Sequence, residues 1–249
     1  MTEDGDEDER GDRHRFSEGQ GFDDPYEGFD LDPPELAVDP DKVDPVDSHV
    51  LADLLDERHV ADDDVDVDAL VDVGLSYMGI NRFEQAADAF ERAARFAPEG
   101  SAAAQEAWVN KGVAHAEMEE WDAAISAHRE ALFVDEDGEY AAEAETNLAY
   151  ALWMFGEDEE AFQHAESAVT TDERLPQAWY NLGFIEAERG LHEDALECLE
   201  NAEQLGFRSA ELFEEKARVL EALDRESEAQ RAAERAEELQ ERREDELVG

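Results

Sequence analysis

The sequence predicts an all-α fold in which about five helical pairs stack into a solenoid. Alanines recur along the chain at steps of 38, 37, 34 and 34 residues. Stacked helices need such residues because their axes approach closely only where the side chains are small. No segment after Val67 alternates apolar and polar residues for long, so no sheet is expected. The recurring alanines are Ala86, Ala124, Ala161, Ala195 and Ala229.

Two further sets of small residues keep the same register. An alanine follows each of these alanines by seven residues, and a glycine or alanine precedes each by twelve. Five repetitions of three small positions favour a helical repeat over a single enzyme core. The following set is Ala93, Ala131, Ala168, Ala202 and Ala236. The preceding set is Gly74, Gly112, Ala149, Gly183 and Ala217.

Residues 1–47 are predicted to be a disordered acidic tail. They hold five of the seven prolines and 18 acidic against 4 basic residues, with too few apolar residues to offset chain entropy. One apolar cluster interrupts this tail, and it is a motif for another protein, a chance grouping of residues, or a segment that docks into the protein's own binding groove. The cluster consists of Phe22, Tyr26, Phe29 and Leu31.

Residues 48–66 are predicted to hold a short helix and a linker. Ser48 is a suitable N-cap, and the apolar residues behind it share helical spacing. These apolar residues are Val50, Leu51, Leu54 and Leu55. The acidic run 62–64 then breaks the pattern, and Asp66 is the predicted N-cap of a repeat domain that spans residues 67–249. Asn81, Gly156 and Gly190 mark turns between paired helices, because these residue types accept the left-handed conformation.

The helical region resembles the tetratricopeptide repeat, a 34-residue helix-turn-helix with the pattern W-x2-L-G-x2-Y, A-x3-F, P. The resemblance places the repeats at about 67–100, 105–138, 142–175, 176–209 and 210–243, and implies a right-handed superhelical solenoid. Matching residues of the first repeat are Leu70, Gly74, Tyr77, Ala86, Phe90 and Pro98, and those of the fourth are Trp179, Leu182, Gly183 and Ala195. Lysines at 111 and 216 replace expected leucines, and histidines at 115 and 128 replace expected aromatics, so we expect weaker packing there.

The same resemblance implies that the first helix of each repeat lines a concave groove for a partner. The alternative is that the second apolar stripe of each first helix packs against the neighbouring repeat. Asparagines on the first helices of the repeats either bind the extended backbone of a partner peptide or bond to the helix backbone of the adjacent repeat. Candidate groove residues are Val71, Leu75, Met78, Val109, Asn110, Val113, Asn147, Tyr150, Trp153, Met154, Tyr180, Asn181 and Phe184. The cationic clamp for chaperone C-termini is not expected, because Glu106 and Glu143 stand beside these asparagines.

The charge is extreme: 71 acidic residues oppose 20 basic ones, for a net charge of −51. Residues 67–249 alone hold 46 acidic against 15 basic residues, and arginine outnumbers lysine 17 to 3. This profile resembles cytoplasmic proteins of salt-accumulating halophiles. A mimic of nucleic acid that sequesters basic proteins is the alternative. Nucleic-acid binding is not expected without a basic stripe, nor is a membrane helix, since no apolar run approaches 18 residues.

The residues offer no catalytic motif: there is no phosphate-binding glycine loop, no H-E-x-x-H and no G-x-S-x-G. The single cysteine, Cys198, is expected to be a packing residue, and His115 and His128 are expected to face each other as a packing pair and not as a metal site. No cofactor is expected. The sequence therefore predicts a cytoplasmic, non-catalytic scaffold or adaptor that binds a peptide segment. The alternatives are the acidic mimic, an assembly chaperone and, last, a small enzyme.

Overall fold

A computed structural model describes residues 65–248, and this part of the chain forms ten α-helices and no strand. The tail, its cluster at Phe22, Tyr26, Phe29 and Leu31, and the predicted helix after Ser48 lie outside the described residues. The helices are α1 (Val67–Gly79), α2 (Phe83–Phe96), α3 (Ala102–Glu117), α4 (Trp121–Val134), α5 (Ala141–Phe155), α6 (Asp158–Thr171), α7 (Pro176–Glu188), α8 (His192–Gln204), α9 (Ala210–Ala222) and α10 (Glu226–Val248).

Each helix packs mainly against the helices before and after it in the chain, so the predicted all-α solenoid of helical pairs is confirmed. The odd-numbered helices also contact one another in series. Among the described helices, no two even-numbered ones make a contact of similar extent. Closer spacing marks the inner side of a curved stack, which places the odd-numbered helices on the concave side.

The helix ends follow from local sequence. The Asp66 side chain accepts a hydrogen bond from the Ala69 N–H at 3.0 Å, which confirms the predicted N-cap. Asn81 and Gly156 adopt positive φ angles of 58° and 98°, and Gly190 one of 79°, so the predicted turns are also confirmed.

The three sets of recurring small residues, which we call the ladder, lie inside the stack. Four of its five central alanines are fully buried, and Ala229 is 3% exposed. The glycines mark the closest approaches: a Cβ added to Gly74 would lie 2.4 Å from the Phe90 ring. The ring of His128 covers Gly112 in the same way. The small residues therefore set the distance between paired helices.

The unexpected lysines pair with carboxylates of the preceding helix instead of leaving gaps. The Lys111 Nζ lies 2.8 Å from Glu91, and the Lys216 Nζ lies 2.5 Å from Glu203. Lys111 also lies over the Trp108 ring, at 5.0 Å from its centroid. Lysine stems and paired head groups thus occupy positions where this repeat pattern expects leucine.

The histidines of the second helical pair do not bond to each other. His128 is 1% exposed, and its Nδ1 has no partner among the described residues. Burial lowers the pKa of His128 to about 3, with a smaller contribution from His115, so the ring is neutral at physiological pH. The His115 Nδ1 lies instead 2.8 Å from a Glu120 carboxylate oxygen.

Overpacking the ladder is expected to destabilise the solenoid. Ala161 is fully buried, whereas Ala102, at the start of α3, is exposed. Ala161→Leu should lower the free energy of unfolding by about 1–3 kcal/mol, because the added carbons have no free volume. Ala102→Leu should leave it within about 0.5 kcal/mol of the wild type. Equal midpoints in urea titrations of the two variants would show that the register of the ladder is wrong.

Candidate peptide-binding surface

The odd-numbered helices position most of the predicted groove residues where a partner could reach them. Leu75, Tyr150 and Met154 are 41–45% exposed, which is high for such large apolar side chains. Five further apolar candidates are half-buried. They are Met78, Val113, Trp153, Tyr180 and Phe184.

Two of the predicted groove residues belong to the core instead. Val71 is 5% exposed and packs with Ala86 and Phe90 of α2, and Val109 is 7% exposed and packs with Ala131 and Ala144. Both lie on a helix face that packs against neighbouring helices. This is the outcome expected if the second apolar stripe of a first helix packs against the neighbouring repeat. They are therefore unavailable to a partner.

Three pairs of aromatic rings lie along the second, third and fourth helical pairs. Tyr150 meets Trp121 edge to face, with ring centroids 6.0 Å apart, and Trp153 meets Phe184 in the same arrangement at 6.0 Å. Tyr180 contacts Phe207 at 5.0 Å. We call this set the aromatic surface. It consists of Trp121, Tyr150, Trp153, Met154, Tyr180, Phe184 and Phe207.

Sequence reasoning did not assign Trp121 and Phe207 to the groove. Trp121 begins α4 and Phe207 follows α8, so neither lies on the first helix of a pair. Their only sequence signal is aromatic character at a helix boundary, where an exposed ring is ordinary. Their ring contacts with Tyr150 and Tyr180 bring them to the surface.

The three asparagines do not act alike. The Asn181 side chain donates a hydrogen bond to the Thr146 backbone oxygen at 3.1 Å, so it joins α7 to α5. Asn110 and Asn147 are half-buried, and their side chains make no hydrogen bond to other described residues. Asn110 and Asn147 thus keep all of their side-chain donors and acceptors for a partner, whereas Asn181 uses one of its two N–H donors within the stack, as the alternative interpretation expects.

Carboxylates flank the aromatic surface. Burial raises the pKa of Tyr180 to about 12, and the nearby Glu215, Glu211 and Glu214 add to the shift. The surface therefore combines apolar rings with a negative electrostatic field.

The fourth helical pair holds a buried carboxyl group that sequence reasoning missed. Glu186 is 8% exposed, and one of its oxygens has no hydrogen-bond partner among the described residues. Burial raises its pKa, a hydrogen bond with Cys198 lowers it, and Asp194 raises it further. The register places Glu186 where α5 and α9 have the buried Leu152 and Leu220.

The Cys198 thiol is unsuited to nucleophilic chemistry. It is buried, and burial raises its pKa, with an additional effect of the neighbouring Glu186. A thiolate is the reactive form, so a raised pKa makes this cysteine a packing residue. Across residues 65–248, no three His, Cys, Asp or Glu side chains converge so that they could hold a metal ion.

None of the helices between residues 65 and 248 is both long and apolar enough to cross a bilayer. The longest, α10, has 23 residues and is strongly charged.

Comparison with known proteins agrees with the helical-pair architecture. Residues 67–99 match the family model of the tetratricopeptide repeat. No curated protein matches the sequence.

Solved structures of the same type align over most of the described chain. One is TTC0263, a thermophilic TPR protein of Thermus thermophilus, with a TM-score of 0.60, 18% identity, and coverage of 74% of this chain and 96% of that one. Another is PilF of Pseudomonas aeruginosa, with a TM-score of 0.60, 22% identity, and coverage of 69% and 75%. A third is MamA (41-end) from Desulfovibrio magneticus RS-1, with a TM-score of 0.55, 15% identity, and coverage of 70% and 95%. At these identities the similarity shows the fold alone.

Proposed function

We propose that this tetratricopeptide repeat protein is a non-catalytic scaffold that binds a peptide segment of a protein partner on its aromatic surface. Helical-repeat solenoids generally present extended concave surfaces for protein–protein contacts. The observation that carries the proposal is the exposure of Tyr150 and Met154 on the inner helix α5, beside two edge-to-face ring pairs. Large apolar side chains that are exposed together on one helix are costly to leave in water and usually mark an interaction site.

The chemistry of the surface favours an amphipathic partner segment. The rings would hold aromatic or aliphatic anchors at helical spacing, as in helix-in-groove recognition. Glu211, Glu214 and Glu215 near Tyr180 would attract lysine or arginine on the flanks of that segment. Asn110 and Asn147 would bond to polar groups of the segment.

The composition supports a cytoplasmic location in a salt-accumulating cell. At molar salt the Debye length is about 3 Å, so charge attraction is largely screened. Apolar contacts persist under those conditions, and excluded salts can strengthen them. Binding in such a cell would therefore depend on the rings more than on the carboxylates. No step of this function requires a cofactor.

The proposal can be tested by selecting ligands in about 2 M KCl from a displayed library of random peptides, each about 20 residues long. We expect selected peptides to carry aromatic or long aliphatic residues at helical spacing. The double substitution Tyr150→Ala and Phe184→Ala should weaken the best peptide at least tenfold, because loss of two anchor contacts removes more than about 1.4 kcal/mol of binding free energy. Fluorescence anisotropy with the labelled peptide measures the change.

Phe133→Ala is the matched control, since Phe133 is 87% exposed on α4 and outside the aromatic surface. It should leave the affinity unchanged. The acidic-mimic alternative makes the opposite prediction: binding of polyarginine would be strong in dilute buffer, lost in about 2 M KCl and insensitive to the ring substitutions. That pattern, together with failure of the peptide selection, would contradict the scaffold.

A further inference from the structure

A pocket of about 350 Å³ lies at the turn between α3 and α4, and we call it the turn pocket. Two aromatic residues line it: Trp121, which begins α4, and Phe155, which ends α5. Phe155 is 47% exposed, so solvent reaches the pocket. The other lining residues are Glu119, Glu120, Asp122 and Ala123. The turn pocket therefore combines aromatic residues with three carboxylates.

Two of these carboxylates have no partner in the described chain. Glu120 lies 2.8 Å from the His115 Nδ1, whereas the side chains of Glu119 and Asp122 make no hydrogen bond or ion pair with other described residues. None of the lining residues is Lys, Arg or His. Asp122 stands in the first turn of α4, where it complements the helix dipole. Glu119 precedes the helix, so its negative charge is left without a structural counterpart.

The backbone of Glu119 does not favour this residue type either. Its φ angle is 59°, a left-handed conformation that is uncommon for glutamate. The same place in the other turns is taken by residue types that accept a positive φ: Asn81, Gly156, Gly190 and Asp224. Neither the turn nor the helix dipole therefore accounts for a glutamate at position 119.

Elsewhere the chain supplies its own cation to such an arrangement. In three places a Lys or Arg lies over an aromatic ring, at 4.2–6.0 Å from its centroid, and pairs with a carboxylate. The described chain places no Lys or Arg over Trp121 or Phe155 in this way, so the turn pocket has rings and carboxylates without a cation. The three complete sets, each given as cation, ring and carboxylate, are Lys111–Trp108–Glu91, Arg189–Phe162–Glu159 and Lys216–Phe213–Glu203.

The chemistry of the turn pocket suits a guanidinium group on an aliphatic stem. Aromatic faces attract cations, and guanidinium stacks on rings and is more weakly hydrated than ammonium. An aliphatic stem would lie against Phe155 and Ala123 while the charged head reaches the carboxylates. In molar salt the Debye length is about 3 Å, so only a cation in direct contact with a carboxylate keeps much of its attraction.

We propose that the turn pocket binds a guanidinium group, which the partner segment supplies as an arginine side chain. Trp121 meets Tyr150 edge to face, so the turn pocket adjoins the aromatic surface. An arginine next to the apolar anchors of the segment would therefore reach it. The partner segment as the source rests on the proposed function, whereas the affinity of the pocket for guanidinium does not.

Titration with n-butylguanidinium, compared with its neutral analogue n-butylurea, tests the pocket without a peptide. The full-length protein is labelled with 5-fluorotryptophan and kept in about 1 M KCl, which screens its surface charge. Each of the four tryptophans contributes a fluorine signal, and Trp121→Phe identifies that of Trp121. We expect n-butylguanidinium to shift this signal at concentrations up to about 50 mM, and n-butylurea to bind about threefold or more weakly, as expected for one cation–π contact.

Glu119→Gly separates the pocket from the stability of the fold. It should weaken n-butylguanidinium binding about threefold or more, because it removes an unpaired carboxylate. Its melting temperature should be equal to that of the wild type or higher, since glycine accepts the positive φ. Asp224→Gly is the matched control. It makes the same changes of charge and backbone at the equivalent turn between α9 and α10, and it should leave the titration unchanged.

Equal binding of the two compounds would overturn the inference, because the pocket would then accept apolar groups without regard to charge. An unshifted Trp121 signal, or equal binding by the wild type and Glu119→Gly, would overturn it as well. In a selected peptide, citrulline in place of arginine should weaken binding to the wild type and not to Glu119→Gly. A failed peptide selection beside a positive titration would contradict the proposed function and would still support the guanidinium site.

Discussion

Dialysis from about 2 M KCl into a buffer of about 10 mM ionic strength is expected to unfold the solenoid in large part. The Debye length rises from about 3 Å at 1 M to about 30 Å at 0.01 M, so carboxylates on different helices begin to repel one another. Residues 67–249 carry 46 acidic against only 15 basic residues, and these repulsions lie on the folded domain itself. Helical circular dichroism should fall, and the melting temperature should fall with it.

Most ion pairs of the described chain are exposed, and the pairs are too few to offset this repulsion. Arg218 and its partner Glu188 have side chains that are 47% and 36% exposed, and such pairs contribute little to stability. Return to about 2 M KCl should restore helicity, which separates screening from irreversible loss. A helical signal and a melting temperature that do not change in dilute buffer would contradict the halophilic interpretation of the composition.

Glu186→Leu is expected to stabilise the protein at neutral pH. The substitution removes a buried carboxyl group with an unpaired oxygen and restores the residue type found at Leu152 and Leu220. An unsatisfied buried polar group costs about 1–3 kcal/mol, and we expect a gain of that order in the free energy of unfolding. Urea titration measures it, and Glu130→Leu, at an exposed site on α4, should change it by less than about 0.5 kcal/mol.

The gain should depend on pH with a defined sign. Burial raises the pKa of Glu186 in the folded state above its unfolded value, so its favourable contribution is complete below the unfolded pKa and is lost as pH rises through the folded pKa. The advantage of Glu186→Leu should therefore be smallest below the unfolded pKa of the carboxyl group, increase as the pH rises through the folded pKa of Glu186, and level off above it. An advantage that does not vary with pH would show that the pKa of Glu186 is the same in the folded and unfolded states.

The architecture could be predicted from the sequence, because small residues that recur in register are those that let stacked helices pack closely. The buried alanines, the Asp66 cap and the turns at Asn81 and Gly156 all follow from residue type and spacing. Each of these features is local to one helix or one helical pair, so a single sequence reveals it.

The candidate site was less accessible to prediction. A helix with two apolar stripes does not reveal which stripe meets a neighbour, and for this reason Val71 and Val109 were wrongly assigned to the groove. Asn181 bonds to a backbone oxygen 35 residues away, a contact that no local pattern encodes. Glu186 was missed because a charged residue in a helix is normally solvated, and only its burial identifies it.

Amide hydrogen exchange with and without a selected peptide tests the central claim most directly. The scaffold with an aromatic binding surface predicts slower exchange in α5 and α7, which carry Tyr150 and Phe184, and unchanged exchange in α6 and α8. Protection confined to α6 and α8, or no protection at all by a peptide that binds, would contradict it.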